Sequence, residues 1–311
     1  MVKKSTAYCS LALLAWTTRR SGASLTSRTP ASFISSNHRS YYRTAINNMA
    51  EDTPPTTTTT ATTTEESSTS LVKVAENLDE VKRRMEEACG RSGRLVESVR
   101  LVAVSKTKPA SLLLDAYHHG QRVFGENYVQ ELVGKAQELP QDIVWHYIGP
   151  LQSNKANLLV KSVVPHAAQL CVETVATTKL ANKLNNAMKQ VLQDNEEEKK
   201  LLDVFVQVNT SGEESKSGVG PDEAVDLCRA IVETCPLLRL RGLMTIGAPG
   251  DTNAFDILAE CRDGVESALG QSGLELSMGM SADFETAIEK GADNIRVGST
   301  IFGERDYSNK T

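Results

Sequence analysis

The sequence predicts an α/β protein whose eight parallel strands close into a (β/α)8 barrel, also called a TIM barrel. Short apolar segments alternate with helical segments after residue 71, and this alternation is typical of parallel strands joined by right-handed crossovers. The length from residue 71 to residue 311 suits eight such units. An open doubly wound sheet is the alternative, but its first strand usually ends in a glycine-rich turn. Here residues 105–109, Ser-Lys-Thr-Lys-Pro, form that turn without a glycine.

Residues 1–48 have the composition of a mitochondrial or plastid transit peptide, because they are rich in serine, threonine and arginine and contain no acidic residue. Their apolar run, residues 11–16, is too short to span a membrane. A disordered leader is one alternative, and initiation at Met49, which would bypass the leader, is another. We therefore expect a mitochondrial form, a cytosolic form, or both.

Residues 49–70 are predicted to form a threonine-rich linker. Nine of the twelve residues from 53 to 64 are threonine, and such a low-complexity composition cannot build a core. The folded domain, residues 71–311, is then expected to begin with an amphipathic helix that ends near Gly90. Its apolar side chains recur at helical spacing: Leu71, Val74, Leu78, Val81 and Met85.

The remaining elements follow from apolar runs and helical periodicity. The predicted strands lie near residues 99–105, 122–126, 143–149, 169–175, 203–209, 239–246, 274–278 and 294–298. The predicted helices between them lie near residues 109–119, 128–138, 153–160, 177–194, 221–234, 253–269 and 283–290.

Charge and cysteine content exclude several classes of function. The first 50 residues carry seven basic and no acidic residues, and the whole chain has a net charge of −5, so the rest carries −12. An acidic body without a basic stripe argues against a nucleic-acid partner, and we expect no membrane partner. The six cysteines form no Cys-x-x-Cys pair and have no zinc-ligand spacing. We therefore expect reduced thiols and no metal site.

Lys106 stands out because it follows an apolar run, residues 101–104, that predicts a buried strand. Burial disfavours the charged form of a lysine, and an uncharged lysine can condense with a carbonyl group as a Schiff base. The alternative is a lysine whose stem packs while its ammonium group reaches water. Three other lysines are rivals for the same role, but we expect them in more solvated loops: Lys108, Lys155 and Lys216.

Residues 278–281 and 296–300 follow the last two predicted strands and contain glycine and serine. Barrels commonly bind phosphate at these strand ends, where glycine lets the backbone approach the anion. A helix beginning near Ala282 would add its dipole. A lysine beside a phosphate site suits a phosphorylated aldehyde, of which pyridoxal 5′-phosphate (PLP) is the obvious example.

Arg296 is the candidate partner for a pyridine nitrogen in this site. An arginine there would keep the nitrogen unprotonated, so the ring would withdraw electrons more weakly than beside an aspartate. The alternative is a salt bridge from Arg296 to a carboxylate at the barrel rim, such as Glu126 or Glu173.

Together these segments resemble the pyridoxal phosphate homeostasis protein family, whose single-domain barrels are also called proline synthase co-transcribed homologues. The matching segments are residues 103–109, 124–131, 145–155, 208–210, 214–218, 242–246, 276–284 and 296–303. The resemblance runs from about residue 71 to residue 307 and leaves the N-terminal 70 residues uncovered. It implies a barrel of the alanine racemase N-terminal type.

The resemblance also implies roles for single residues. Lys106 would carry PLP as an aldimine, and Asn127 would lie near the ring. Arg296 would lie by the ring nitrogen. The phosphate would be held by Ser281, Gly298 and Ser299. The family's role is PLP homeostasis, in which the protein binds, buffers and delivers the cofactor, with apo forms of PLP-dependent enzymes as recipients.

We expect a non-catalytic carrier, present as a monomer or weak dimer, and a PLP-dependent racemase or decarboxylase is the alternative. Two-base racemisation needs an acid/base group on the ring face opposite the lysine, and in alanine racemase an added β-domain supplies it as a tyrosine. The chain stops at Thr311, shortly after the eighth predicted strand, which leaves no room for such a domain. Tyr128, Tyr147 and His146 could be proposed as substitutes for that tyrosine. For Tyr147 and His146 we expect packing or hydrogen-bonding roles instead.

Overall fold

The structure, a computed structural model, describes residues 63–194, 200–212, 217–248 and 250–304. The predicted leader, the start at Met49, the linker up to residue 62 and the rival Lys216 lie outside these residues. Among the described residues, no helix is both long enough and apolar enough to cross a membrane.

All eight predicted strands are present. They are β1 (Arg100–Val104), β2 (Val123–Glu126), β3 (Val144–Tyr147), β4 (Gln169–Val175), β5 (Leu202–Gln207), β6 (Leu238–Met244), β7 (Glu275–Met280) and β8 (Asn294–Val297). Each strand pairs in parallel with the next one in the chain, and β8 pairs with β1. The strands therefore form a closed barrel, as the sequence predicts.

The helices surround the barrel. They are α1 (Thr63–Ser92), α2 (Ala110–His118), α3 (Val129–Glu138), α4 (Ala156–Val163), α5 (Thr178–Asp194), α6 (Ala224–Thr234), α7 (Asn253–Leu269), α8 (Phe284–Glu289) and α9 (Ser299–Phe302). Short 3-10 turns occur at Val96–Ser98, Val164–His166 and Pro221–Glu223. The four-residue α9 has no counterpart in the sequence prediction.

Helix α1 packs its apolar face onto the neighbouring helices α2, α8 and α9. Leu78 and Val81 on this face are fully buried, as the helical spacing predicts, and Asn77 Nδ2 donates to Ile301 O in α9 at 2.9 Å. The helix begins at Thr63, inside the segment predicted as linker. No proline or glycine separates residue 63 from the apolar face, so nothing in the sequence ends the helix earlier.

Strand alternation sorts side chains between two environments. Large apolar side chains such as Trp145 and Phe124 belong to the main core, which the strands share with the surrounding helices. A smaller apolar cluster, Cys171, Phe205 and Met244, is separate from that core. Since successive side chains of a strand point to opposite faces, this cluster and its polar neighbours fill the inside of the barrel.

Candidate functional site

Lys106 lies in the turn between β1 and α2. The strand ends at Val104 rather than reaching the lysine, and the side chain of Lys106 is half-buried. The prediction of a lysine at the end of a fully buried strand is therefore wrong in detail. The next residue, Thr107, has φ of +63°. A β-branched residue rarely adopts this conformation, and such strain persists only where surrounding contacts hold it.

A cavity of about 340 Å³ opens at the C-terminal end of the barrel beside this turn. It is lined by Val104, Lys106, Lys108, Ile148, Met280, Ser281, Ala282, Arg296, Gly298, Ser299 and Gly303. Five of the six predicted binding residues are in this group, although they come from three different strand ends. We call it the Lys106 cavity.

The loops after β7 and β8 meet at the far side of the Lys106 cavity. Gly298 N donates to Ser281 Oγ at 3.2 Å, so the two predicted phosphate segments contact each other. A Cβ atom on Gly298 would lie 3.1 Å from Val104 O, which explains why glycine stands there. The short helix α9 begins directly afterwards at Ser299. This corner offers hydroxyl and backbone N–H groups to an anion.

The helix predicted near Ala282 begins at Phe284 instead, as α8. Asp283 precedes it, and its Oδ1 accepts a hydrogen bond from Met280 N at 2.6 Å. A carboxylate therefore already lies at the start of α8, where the helix dipole favours negative charge. The dipole of α8 is thus a weaker contribution to anion binding than the sequence indicates.

Two rival lysines can be compared with Lys106. Lys108 also lines the cavity, and its Nζ donates to Glu304 O at 2.7 Å, which holds it at the rim. Lys155 immediately precedes α4 and does not line the Lys106 cavity. Lys106 is therefore the lysine of these three that both lines the cavity and directly follows β1.

Arg296 projects from β8 and is almost fully buried, with 4% of its surface exposed. It donates through one NH group to Ser277 Oγ at 2.6 Å and through the other to Thr245 O at 2.7 Å. It also lies 3.7 Å from Glu173 Oε2, so the rim salt bridge considered as an alternative is present. Arg296 lines the cavity as well, so the ion pair does not withdraw it from the cavity.

Glu173, fully buried on β4, is the centre of this polar network. Its oxygens accept from His146 Nδ1 at 2.5 Å, from Ser277 Oγ at 2.5 Å and from Asn294 Nδ2 at 3.0 Å. Burial alone would raise the pKa of Glu173, but His146, Arg296 and Ser277 together lower the pKa below its ordinary value. The carboxylate is therefore ionised at neutral pH and holds Arg296 by charge and through Ser277.

His146, Cys171 and Glu173 offer ligand atoms that all lie within 4.8 Å of one another. Cys171 is buried with Phe205 and Met244 in the small apolar cluster inside the barrel. Both oxygens of Glu173 already accept hydrogen bonds. We therefore assign the group to the polar network that supports Arg296.

Asn127, the sixth predicted binding residue, lines a second cavity of about 280 Å³ instead of the Lys106 cavity. Ile148 lines both cavities, so they are neighbours. The Oδ1 atom of Asn127 is buried and accepts no hydrogen bond from the described residues. Asn127 thus lines a cavity next to the Lys106 cavity rather than the Lys106 cavity itself.

Two residues of the site are not apparent from the sequence. One is Asn294, because a polar residue at the start of a strand gives no sign that its own side chain faces the barrel interior. Lys135 was also missed, since Glu131 and Lys135 at helical spacing indicate an ordinary surface ion pair. The feature that could have indicated Lys135 is its position in the helix that directly follows the strand ending at Glu126, with which it pairs.

Three comparisons place the chain among known proteins. The family model of the alanine racemase N-terminal domain matches residues 71–306. A pyridoxal phosphate homeostasis protein of Bos taurus is 46% identical over 250 residues, covering 75% of this chain and 88% of the relative. A pyridoxal phosphate homeostasis protein of Haemophilus influenzae is 41% identical over 246 residues, covering 76% of this chain and 98% of the relative. The structure of PipY from Synechococcus elongatus with PLP bound is 32% identical, has a TM-score of 0.59, and covers 74% of this chain and 100% of PipY.

Proposed function

Because the chain belongs to the pyridoxal phosphate homeostasis protein family, built on the alanine racemase N-terminal domain, we propose that it binds PLP and acts in PLP homeostasis. In this role it would bind, buffer and deliver the cofactor through a reversible bond to Lys106. The observation that carries the proposal is the Lys106 cavity, which Lys106 lines together with the loops after β7 and β8 and the buried Arg296.

The residues present fit PLP. The cavity volume falls within the range of about 300–1,000 Å³ that is typical of small-molecule sites. Its described lining carries three basic side chains and no acidic one, which suits a phosphate dianion. Ser281, Gly298 and Ser299 would hold the phosphate, and Arg296 would lie at the ring nitrogen. Asn127 would act from the neighbouring cavity, near the ring edge.

PLP would supply an aldehyde carbon that an amine can attack. Lys106 would hold the cofactor at that carbon through its Nζ, with release of one water molecule. Water or another amine could replace the lysine at the same carbon. The tether is therefore reversible, which suits a protein that delivers its ligand to apo enzymes.

We propose that the protein is a carrier and not a racemase or decarboxylase. Among the described residues that line the Lys106 cavity, the titratable side chains are Lys106, Lys108 and Arg296, so no tyrosine, histidine or carboxyl group is among them. Lys108 is held at the rim by its bond to Glu304 O. Tyr147 donates to Pro150 O at 3.2 Å, and burial raises the pKa of Tyr147 to about 12. His146 is committed to Glu173. Neither is placed to move a proton on a ligand in the cavity.

Covalent trapping tests the tether. Borohydride reduces a C=N bond to a stable C–N bond, so mass mapping of the reduced holoprotein should place the cofactor on Lys106. The variant Lys106→Ala should lose the visible absorption of the bound cofactor and all covalent label. The matched control Lys108→Ala should keep both. Label on Lys108 in the wild-type protein, or label nowhere, would contradict the proposal.

Amino-acid turnover tests the carrier role separately. Purified wild-type holoprotein, incubated with single L-amino acids, is expected to produce neither the D-enantiomer nor the decarboxylated amine above the rate of free PLP. Chiral chromatography of the products measures both. Robust turnover that disappears in Lys106→Ala would establish the enzyme alternative instead.

Location and oligomeric state are part of the same proposal. Residues 1–48 would direct the chain to the mitochondrion, and initiation at Met49 would leave a cytosolic form. N-terminal sequencing of the mature protein distinguishes a processed chain, a chain that starts at Met49 and an intact leader. A monomer or weak dimer would leave the open end of the barrel accessible to recipient enzymes.

A further inference from the structure

The two residues on either side of Lys106 are bound to one cluster of charged side chains behind the turn. Lys135 Nζ, from α3, donates to Ser105 O at 2.9 Å. Glu131 Oε1, one helical turn earlier, accepts from Thr107 N at 2.6 Å. Glu126 Oε1, at the end of β2, accepts from Ser105 Oγ at 2.7 Å. We call Glu126, Glu131 and Lys135 the turn clamp.

The turn clamp is held together by a buried ammonium group. Lys135 Nζ also donates to Glu126 Oε1 at 2.6 Å and to Glu131 Oε1 at 2.7 Å. With Ser105 O, these acceptors use all three hydrogens of the ammonium group. The side chain of Lys135 is only 7% exposed and that of Glu126 is fully buried. A buried ion cluster of this kind has one favourable arrangement. The backbone groups that it binds are therefore held in one position.

The burial of Glu126 in the clamp has an electrostatic effect. Glu126 Oε2 has no hydrogen-bond partner among the described residues. Burial raises the pKa of Glu126 to about 6, although Lys135 opposes the rise. The contact to Ser105 therefore uses a carboxyl group that is costly to bury.

The backbone conformation of Thr107 explains why a clamp is needed. Its φ of +63° is a strained conformation for a β-branched residue. The hydrogen bond from Thr107 N to Glu131 Oε1 is made in this conformation. Relaxation of Thr107 would rotate the peptide that follows Lys106 and move the lysine relative to the cavity.

We infer that Glu131 and Lys135 are positioning residues that hold the 105–107 turn so that Lys106 Nζ faces the cavity. This inference rests on the proposed function, because it concerns how quickly and how tightly Lys106 captures PLP. Glu131 and Lys135 do not line the Lys106 cavity themselves and act only through Ser105 and Thr107.

The test compares Glu131→Ala, Glu131→Gln and a control in the purified full-length protein. The control is Asp203→Ala, which removes a carboxylate paired with Arg239 at the start of β5, at the opposite end of the barrel. The rate at which added PLP gains the visible absorption of the lysine-bound form is measured by stopped flow, at a temperature where all variants are folded. Thermal unfolding of the apo forms is measured in parallel.

We expect Glu131→Ala to slow capture of PLP about tenfold, since small misplacements of a reacting group cost this much or more. Glu131→Gln keeps an oxygen acceptor for Thr107 N and should capture PLP at nearly the wild-type rate. Asp203→Ala should lose stability without slowing capture. Equal capture rates for Glu131→Ala and Asp203→Ala, or equal slowing in Glu131→Gln and Glu131→Ala, would overturn the inference.

A second variant, Lys135→Met, removes the ammonium group and should slow capture at least as much as Glu131→Ala. If it fails to fold, the two Glu131 variants decide the question alone, because Glu131 is partly exposed, at 21% of its side chain. The proposed function fails in a different way: wild-type protein would then carry no cofactor on Lys106. If the wild-type protein is labelled on Lys106 and Glu131→Ala captures PLP at the wild-type rate, only the positioning role is contradicted.

Discussion

Replacing Glu173 by alanine is expected to destabilise the protein by about 3–5 kcal/mol, the usual cost of removing one partner from a buried ion pair. The change would leave Arg296 and His146 buried without their carboxylate and would remove an acceptor from Ser277 and Asn294. Arg296 would then reorient, so PLP binding should weaken as well. Urea unfolding of the apo protein and a titration with PLP measure the two effects.

The pH dependence of the same network has a defined sign. The pKa of Glu173 in the folded protein lies below its ordinary value of 4.5, so its contribution to stability is present above that value and is lost as the pH falls through the lower folded pKa. The control Glu173→Gln keeps the shape of the side chain but has no charge to titrate. The difference in unfolding free energy between wild type and Glu173→Gln should therefore shrink on acidification below pH 4.5. A difference that stays constant or grows would show that Glu173 is not ionised in the folded state.

The fold could be predicted almost completely because each strand of a barrel is buried on both faces. Such strands appear in the sequence as apolar runs, and their number and spacing left few architectures to consider. The same reasoning singled out Lys106, Arg296, Gly298 and Ser281, which line one cavity, since the predicted site residues were sought where the strands of a barrel end. Strand ends are local features, and a sequence shows local features directly.

The contacts between these residues could not be predicted in the same way. Arg296 on β8 meets Glu173 on β4 across the inside of the barrel, and these two strands are far apart in the chain, whereas Ser277 lies on the neighbouring strand β7. Their meeting depends on the register of eight strands, in which a shift of one residue would turn each side chain to the other face. The start of α1 at Thr63 was missed for another reason, because a threonine-rich composition hides a helix that tertiary contacts stabilise.

Gly149→Ala is expected to cost about 3 kcal/mol of stability and to weaken PLP binding, because no space exists for a methyl group at this position. A Cβ atom there would overlap the backbone oxygen of Asn127 and would lie 2.8 Å from its Cα. Both groups are main chain, so neither can move aside by rotating a side chain. The loop after β2 must shift, and with it Ile148, whose N–H donates to Glu126 O at 2.9 Å and whose side chain lines both cavities.

Gly134→Ala is the matched control, because the same methyl group meets nothing within 4 Å in the middle of α3. Alanine is a better helix former than glycine, so this variant should be more stable than wild type by about 0.5–1 kcal/mol, with unchanged PLP binding. Opposite signs for the two substitutions, measured by urea unfolding, would tie the loss in Gly149→Ala to the contact with Asn127. If Gly149→Ala left the free energy of unfolding unchanged, the loops after β2 and β3 would not be in contact as described. The position of Ile148 beside the two cavities would then not be fixed by that contact. The stability of the two variants thus reports on the geometry of the site before any cofactor is added.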